Sequence, residues 1–221
     1  MKKQREINKK IIEELNDEYK NAECELNFNS DFELLVAVIL SAQCTDKRVN
    51  SVTQKLFKLY NTPYDFAKIR QSELEELIKP CGFYHNKAKS IISASKDIVE
   101  RFNGVVPNNK EDLKSLAGVG EKTANVVLST AFKVPAIAVD THVFRVSRRL
   151  GLSDGKDVFA VQKQLENEID KDKWSSSHYA LVLHGRYVCK ARKPDCNNCK
   201  LKVLCAYFNS TLKPKEIKSE S

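Results

Sequence analysis

The chain has 221 residues, 42% of them apolar, which suffices for a buried core in one domain or two small ones. Lysine plus arginine (37) exceed aspartate plus glutamate (29), and the net charge of +8 fits a polyanionic partner such as DNA or RNA, or equally an indifferent solvated surface. Met1 to Tyr19 is charged throughout and the longest apolar run, Leu34 to Leu40, spans seven residues. No signal peptide, transit peptide or membrane span is therefore expected, and the seven cysteines are expected to be reduced inside a cell.

Apolar residues recur at helical spacing nearly everywhere and no segment sustains strand alternation, so the sequence reads as an all-α protein with short loops. Asp31 is placed to cap a helix through Leu34, Ala37, Val38 and Ser41, and Thr45 or Asp46 to start one carrying Val49, Val52, Leu56 and Leu59. Ala88, Ile91, Ile92, Ser95, Ile98, Val99 and Phe102 form a buried stripe that ends at Gly104. Asn108 or Asn109 caps a short helix through Leu113 and Leu116. Asp157 to Ile169 is amphipathic, and a last long helix follows Ser175 and runs past Leu183.

The segment LAGVGEKTANV, Leu116 to Val126, carries the most chemistry. Gly118 and Gly120, flanking Val119, permit a tight turn between two helices and close approach of a foreign backbone. Free amides at the start of the next helix carry partial positive charge, which makes the turn a phosphate cradle that grips nucleic acid without reading its sequence. Ala124, Val127, Leu128 and Ala131 fall on the inward face, and Lys122, Asn125 and Ser129 are expected to face out. Lys122 then stands on the solvent side of the first turn, where the helix end disfavours a cation and favours an amine that acts as nucleophile. Taken alone, the turn fits an ordinary exposed lysine at least as well.

Asp140 follows Lys122 by eighteen residues and precedes a helix with Val143, Val146 and Leu150 on one stripe. Its default role is an N-cap, and a carboxylate fixed there can also serve as a base. Arg145, Arg148 and Arg149 on that helix either meet phosphates or solvate its outer face.

Cys189, Cys196, Cys199 and Cys205 follow C-x6-C-x2-C-x5-C, four soft ligands that point to a metal. Structural zinc usually uses two close pairs, and only Cys196 and Cys199 make one here, so the spacing leaves zinc and an iron-sulfur cluster both open. Lys190, Arg192 and Lys193 lie between the first two ligands, as if the metal stapled a basic phosphate-binding loop. Cys24, Cys44 and Cys81 lack such spacing and read as small core or loop residues.

SAQCTD at Ser41 to Asp46, GFYHNKA at Gly82 to Ala88, LAGVGEKTANVV, VDTHVFRVSRRLGL from Val139, HGRYVCKARKPDC from His184 and the cysteine spacing together resemble the endonuclease III family of helix-hairpin-helix DNA glycosylases and abasic-site lyases. The resemblance spans almost the whole chain. It implies a six-helix domain over residues 24–134 with the helix-hairpin-helix. It also implies a discontinuous helical domain, residues 1–23 and 135–221, holding a 4Fe-4S cluster on the four cysteines, with DNA bound between the two. The family's catalytic lysine and aspartate fall on Lys122 and Asp140, its stack-filling glutamine on Gln43, and its duplex wedge on Phe83, where leucine is usual.

Further implications are a double-stranded DNA substrate carrying an oxidised pyrimidine or an abasic site, and a monomer acting in the cytoplasm at the nucleoid, with no membrane partner. Two departures bear on DNA affinity: Ala117 replaces the usual hairpin proline, which should loosen the turn, and Glu121 sets a negative charge near the phosphate. Adenine and thymine-mismatch glycosylases share the scaffold. The former lack the lysine and carry an extra C-terminal domain, whereas this chain has Lys122 and ends at Ser221. A non-catalytic, metal-stapled DNA-binding module needs only the turn and the basic loops.

Overall fold

The computed structural model describes residues 2–212, with side chains from 4 to 211. Helices α1 (Lys2–Glu18), α2 (Asp31–Ser41), α3 (Asp46–Leu59), α4 (Pro63–Lys68), α5 (Gln71–Ile78), α6 (Tyr84–Phe102), α7 (Lys110–Ser115), α8 (Glu121–Thr130), α9 (Thr141–Leu150), α10 (Val158–Glu168) and α11 (Trp174–Tyr187) follow in chain order, with no β-strand among the described residues. None of these helices is long and apolar enough to cross a membrane. The chain divides into two compact units, Cys24–Val134 and Met1–Glu23 with Pro135–Ser221; residues 213–221 lie outside the described ones.

In the unit formed by residues 24–134, α2 is the axis. Every residue from Phe32 to Leu40 is buried, as a helix apolar on every face must be; the exception in kind is Glu33, whose carboxylate accepts the Asn29 amide at 2.6 Å. Ser30, not Asp31, caps it: its hydroxyl accepts the Glu33 amide at 3.2 Å, while Asp31 becomes the first helical residue, where its charge still favours the positive helix end. At α7 the cap is Asn109, whose side chain accepts the Asp112 amide at 2.9 Å. Thr62, with Pro63 at the first helical position, forms a reciprocal capping box with Asp65 that starts α4. Around α2 pack Val49, Leu56, Phe66, Leu74, Ile91 and Ile98, all at most 1% exposed. Truncating one such leucine to alanine costs about 2–5 kcal/mol.

The other unit has its own core. Ile11 and Leu15 of α1, Val143 and Val146 of α9, and Leu181 of α11 are fully buried in it. α9 and α11 approach closely because Gly185 has no side chain: a Cβ there would stand 2.8 Å from the His142 Cβ.

Candidate functional site

The hairpin turn forms without proline. Leu116 ends α7, and the Val119 amide donates to its carbonyl at 3.1 Å across Ala117 and Gly118. Gly118 has φ +79°, and a Cβ there would press to 2.8 Å on Ser90, so both backbone and space demand glycine. Gly120, the residue before α8, has nothing within 4 Å of where a Cβ would sit and no side-chain cap, so a foreign group can reach the first amides of α8. Lys122 is exposed in that first turn and makes no ion pair among the described residues.

Two sequence expectations on α8 change. Asn125 and Ser129 are 3% and 4% exposed, because α8 packs against both α2 and α7, so its inward face is wider than the apolar stripe. Glu121 does not stand as a lone charge by the turn. Lys114 pairs with it at 2.9 Å and Lys110 still more closely, both from α7, so Glu121 ties the two hairpin helices together. Partial burial works to raise its carboxyl, but hydrogen bonds from the two ammonium groups outweigh this and hold it below the ordinary carboxylate range.

Gln43 and Phe83 share an unusual backbone. Both are left-handed, with φ +54° and +48°, a conformation rarely adopted by a side chain as bulky as phenylalanine. Both are exposed, Phe83 by 64%. Gln43 lies in the loop after α2, and Phe83 in the turn before α6.

In the other unit, Asp140 is the N-cap of α9: Oδ1 accepts the amides of His142 (2.8 Å) and Val143 (2.7 Å). Oδ2 accepts nothing among the described residues. Lys122 belongs to the first unit and Asp140 to the second.

Arg145 and Arg149, one turn apart, neither solvate the helix nor stand free. Arg145 donates to the carbonyls of Cys189 at 3.1 Å and Gly185 at 2.8 Å, and Arg149 to those of Lys190 at 2.7 Å and Ala191 at 3.0 Å. These arginines hold the start of the cysteine loop, a role only their i, i+4 spacing hinted at. Arg148 instead lies over the Phe144 ring, 5.3 Å from its centroid.

Cys189, Cys196, Cys199 and Cys205 all line one pocket with Leu150, Pro194, Tyr207 and Phe208, and none is in a disulfide. Burial pushes the Cys199 thiol up to about 11 and raises Cys196 and Cys205 as well. His184 stands behind Cys199, Nε2 at 3.7 Å from the sulfur, with its other nitrogen at 3.2 Å from the Tyr19 hydroxyl; burial lowers the imidazole to about 4. Among the described residues no three His, Cys, Asp or Glu side chains converge as ligands of a single ion. Lys193, in the same loop, is exposed with φ +52°.

A model of the HhH-GPD superfamily base excision DNA repair protein matches residues 36–171, which include the hairpin, Lys122 and Asp140. Endonuclease III of Bacillus subtilis (strain 168) is 51% identical over 195 residues, 88% of this chain and 89% of that protein. Among solved structures, a non-covalent endonuclease III-DNA complex has a TM-score of 0.90 at 45% identity, covering 97% of this chain and 98% of the other. A trapped endonuclease III-DNA covalent intermediate has a TM-score of 0.87 at 46% identity, covering 91% and 97%. The chain belongs to the endonuclease III family of HhH-GPD base excision DNA repair proteins, and its activity is that of a DNA glycosylase and lyase.

Proposed function

We propose that this enzyme removes oxidised pyrimidines from double-stranded DNA and then cleaves the abasic site by β-elimination through a Schiff base on Lys122. The observation that carries this reading is Lys122 itself. It is an exposed amine in the first turn of α8, directly after an open, uncapped glycine turn suited to a backbone phosphate. The hairpin of Gly118, Val119 and Gly120 holds the lesion strand, and the damaged nucleotide leaves the stack. Gln43 and Phe83, displayed on left-handed backbone, occupy the vacated stack and wedge the duplex. Asp140, its Oδ1 spent on capping, offers Oδ2 as base: it takes the proton from the Lys122 ammonium. The amine attacks C1′ and the base departs with the glycosidic electron pair and a proton from the attacking nitrogen; the C1′–O4′ bond then opens, O4′ takes the proton held on Asp140, and an iminium forms. Loss of the C2′ proton then breaks the C3′–O bond, cutting the strand on the 3′ side.

The four cysteines fit a 4Fe-4S cluster better than one zinc. A single tetrahedral ion needs all four sulfurs within one coordination sphere, whereas each cysteine of a cluster ligates its own iron and the sulfurs stand apart around a shared pocket. When bound, the cluster supplies iron–thiolate bonds that cross-link the loop. Arg145 and Arg149 brace the loop's first residues, and Lys193 on the same loop meets a phosphate. The protein acts as a monomer on nucleoid DNA.

Borohydride added during reaction with abasic duplex tests the reading. It should trap a covalent adduct through Lys122; Lys122→Ala should abolish trapping while duplex binding persists. Cleavage by Lys122→Ala at the wild-type rate would overturn the assignment.

A further inference from the structure

Lys87 in α6 is 7% exposed, a buried ammonium with no carboxylate paired to it among the described residues. Burying such a charge is costly unless its donors are satisfied. Two of them are spent on main-chain carbonyls: Leu40 at 2.9 Å and Cys81 at 2.9 Å. Its backbone amide reaches a third, the carbonyl of Phe83, at 3.0 Å. Burial lowers this ammonium, an effect that the neighbouring Cys44 and Cys81 thiols oppose.

The location of those carbonyls matters more than their number. Leu40 lies three residues before Gln43, in the last turn of α2, and Cys81 two residues before Phe83, in the 3-10 turn Lys79–Cys81. One side chain therefore ties together the roots of the two loops whose tips are left-handed and exposed. A left-handed phenylalanine is strained and persists only where the surroundings over-determine it. At Phe83 the surroundings include few side-chain contacts, since the ring is 64% exposed, so the constraint comes through the backbone on either side. The Lys87 ammonium bonds that backbone at Cys81, while the bond from the residue 87 amide to the Phe83 carbonyl is the first helical bond of α6 and is made whatever the side chain.

We propose that Lys87 is a positioning residue for duplex opening, its ammonium locking the Gln43 and Phe83 loops to each other so that wedge and stack-filler enter the duplex as one unit. The proposal rests on the reading of Gln43 and Phe83 given above. Lys87 touches neither DNA nor the reacting atoms; it acts through the two loops. An apolar residue of the same length leaves two buried carbonyls unpaired and uncouples the loops. Arginine keeps the charge and donors in a bulkier, planar group that restores coupling in part.

The test is a double-mutant cycle on a duplex carrying one oxidised pyrimidine opposite 2-aminopurine, under single-turnover conditions. Lys87→Met should slow excision by about tenfold or more in the wild-type background and by less than about threefold in the Phe83→Ala background. The 2-aminopurine signal of the unstacked opposite base should fall with excision in Lys87→Met and return partly in Lys87→Arg. A general loss of stability would lower the rate by the same factor in both backgrounds and leave the opening signal of the folded fraction unchanged; that additive result overturns the proposal, as does a wild-type rate for Lys87→Met. If Lys87→Met does not fold, Lys87→Arg carries the same cycle. Phe83→Ala with an undiminished rate and signal would instead refute the reading of Phe83 as wedge.

Discussion

Asp140 holds the Val143 amide at 2.7 Å through Oδ1, the same oxygen that accepts His142. The carboxylate is thereby divided: one oxygen anchors α9 and the other is free to take a proton. Asp140→Asn keeps a capping oxygen and loses the proposed base. It should cut base excision by about two orders of magnitude or more while lowering stability by no more than about 1 kcal/mol. Excision rates and thermal unfolding on the same preparation check this, and a large stability loss with intact chemistry would make Asp140 a cap only.

Glu121 joins Lys110 and Lys114 across the hairpin, and its single negative charge offsets one of their two positive charges beside the proposed phosphate cradle. Glu121→Gln should raise affinity for undamaged duplex and steepen the salt dependence of binding by about one unit, since the freed lysines reach phosphate. The stability cost is about 0–1 kcal/mol because all three side chains are more than two-fifths exposed. The folded-state pKa lies below the ordinary value of 4.5, so this contribution is present above pH 4.5 and disappears as pH falls through the depressed value. Chemical denaturation of wild type and Glu121→Gln over a descending pH series should show a stability difference at pH 7 that shrinks as the pH falls below 4.5 and through the depressed value.

Much of this was legible in the sequence, and the residues show where legibility stops. The helical class, the Asn109 cap and the Gly118 turn follow from local chemistry that acts within three or four residues. The capping box from Thr62 to Asp65 was equally local, but α4 and α5 are too short to impose a period. In α1 the charges mask the burial of Ile11 and Leu15, which only packing on α11 reveals. The partners of Glu121, Arg145, Arg149 and Lys87 lie on other segments, and no spacing rule announces a side chain that bonds a distant carbonyl. Asn125 and Ser129 are buried against the sequence expectation because α8 packs on two sides, which leaves it a solvent face narrower than its polar residues imply.

Purified protein should be yellow-brown and hold about four irons per chain. Cys199→Ser should lose iron and weaken DNA binding, since Cys199 sits with the other three cysteines in one pocket and the basic residues share their loop. Cys44→Ser, in the other unit, should keep its iron. Iron analysis and absorbance decide; stoichiometric zinc in place of iron would refute the cluster.

The wedge role proposed for Phe83 sets stability against function. Its left-handed backbone costs about 1–2 kcal/mol for a side chain and nothing for glycine, whose greater unfolded-state freedom takes back about 0.5–1 kcal/mol. Because the ring is 64% exposed, its removal forfeits little packing. Phe83→Gly should therefore match or exceed wild type in stability, by up to about 1 kcal/mol, while lesion excision from duplex falls by about tenfold or more as the proposed wedge is lost. The salt slope of binding should barely move, because a wedge acts through stacking rather than charge. Chemical denaturation, single-turnover excision and a salt titration measure the three quantities. A destabilised Phe83→Gly with normal excision would show instead that the ring packs for the fold and that its unusual backbone serves no opening of DNA.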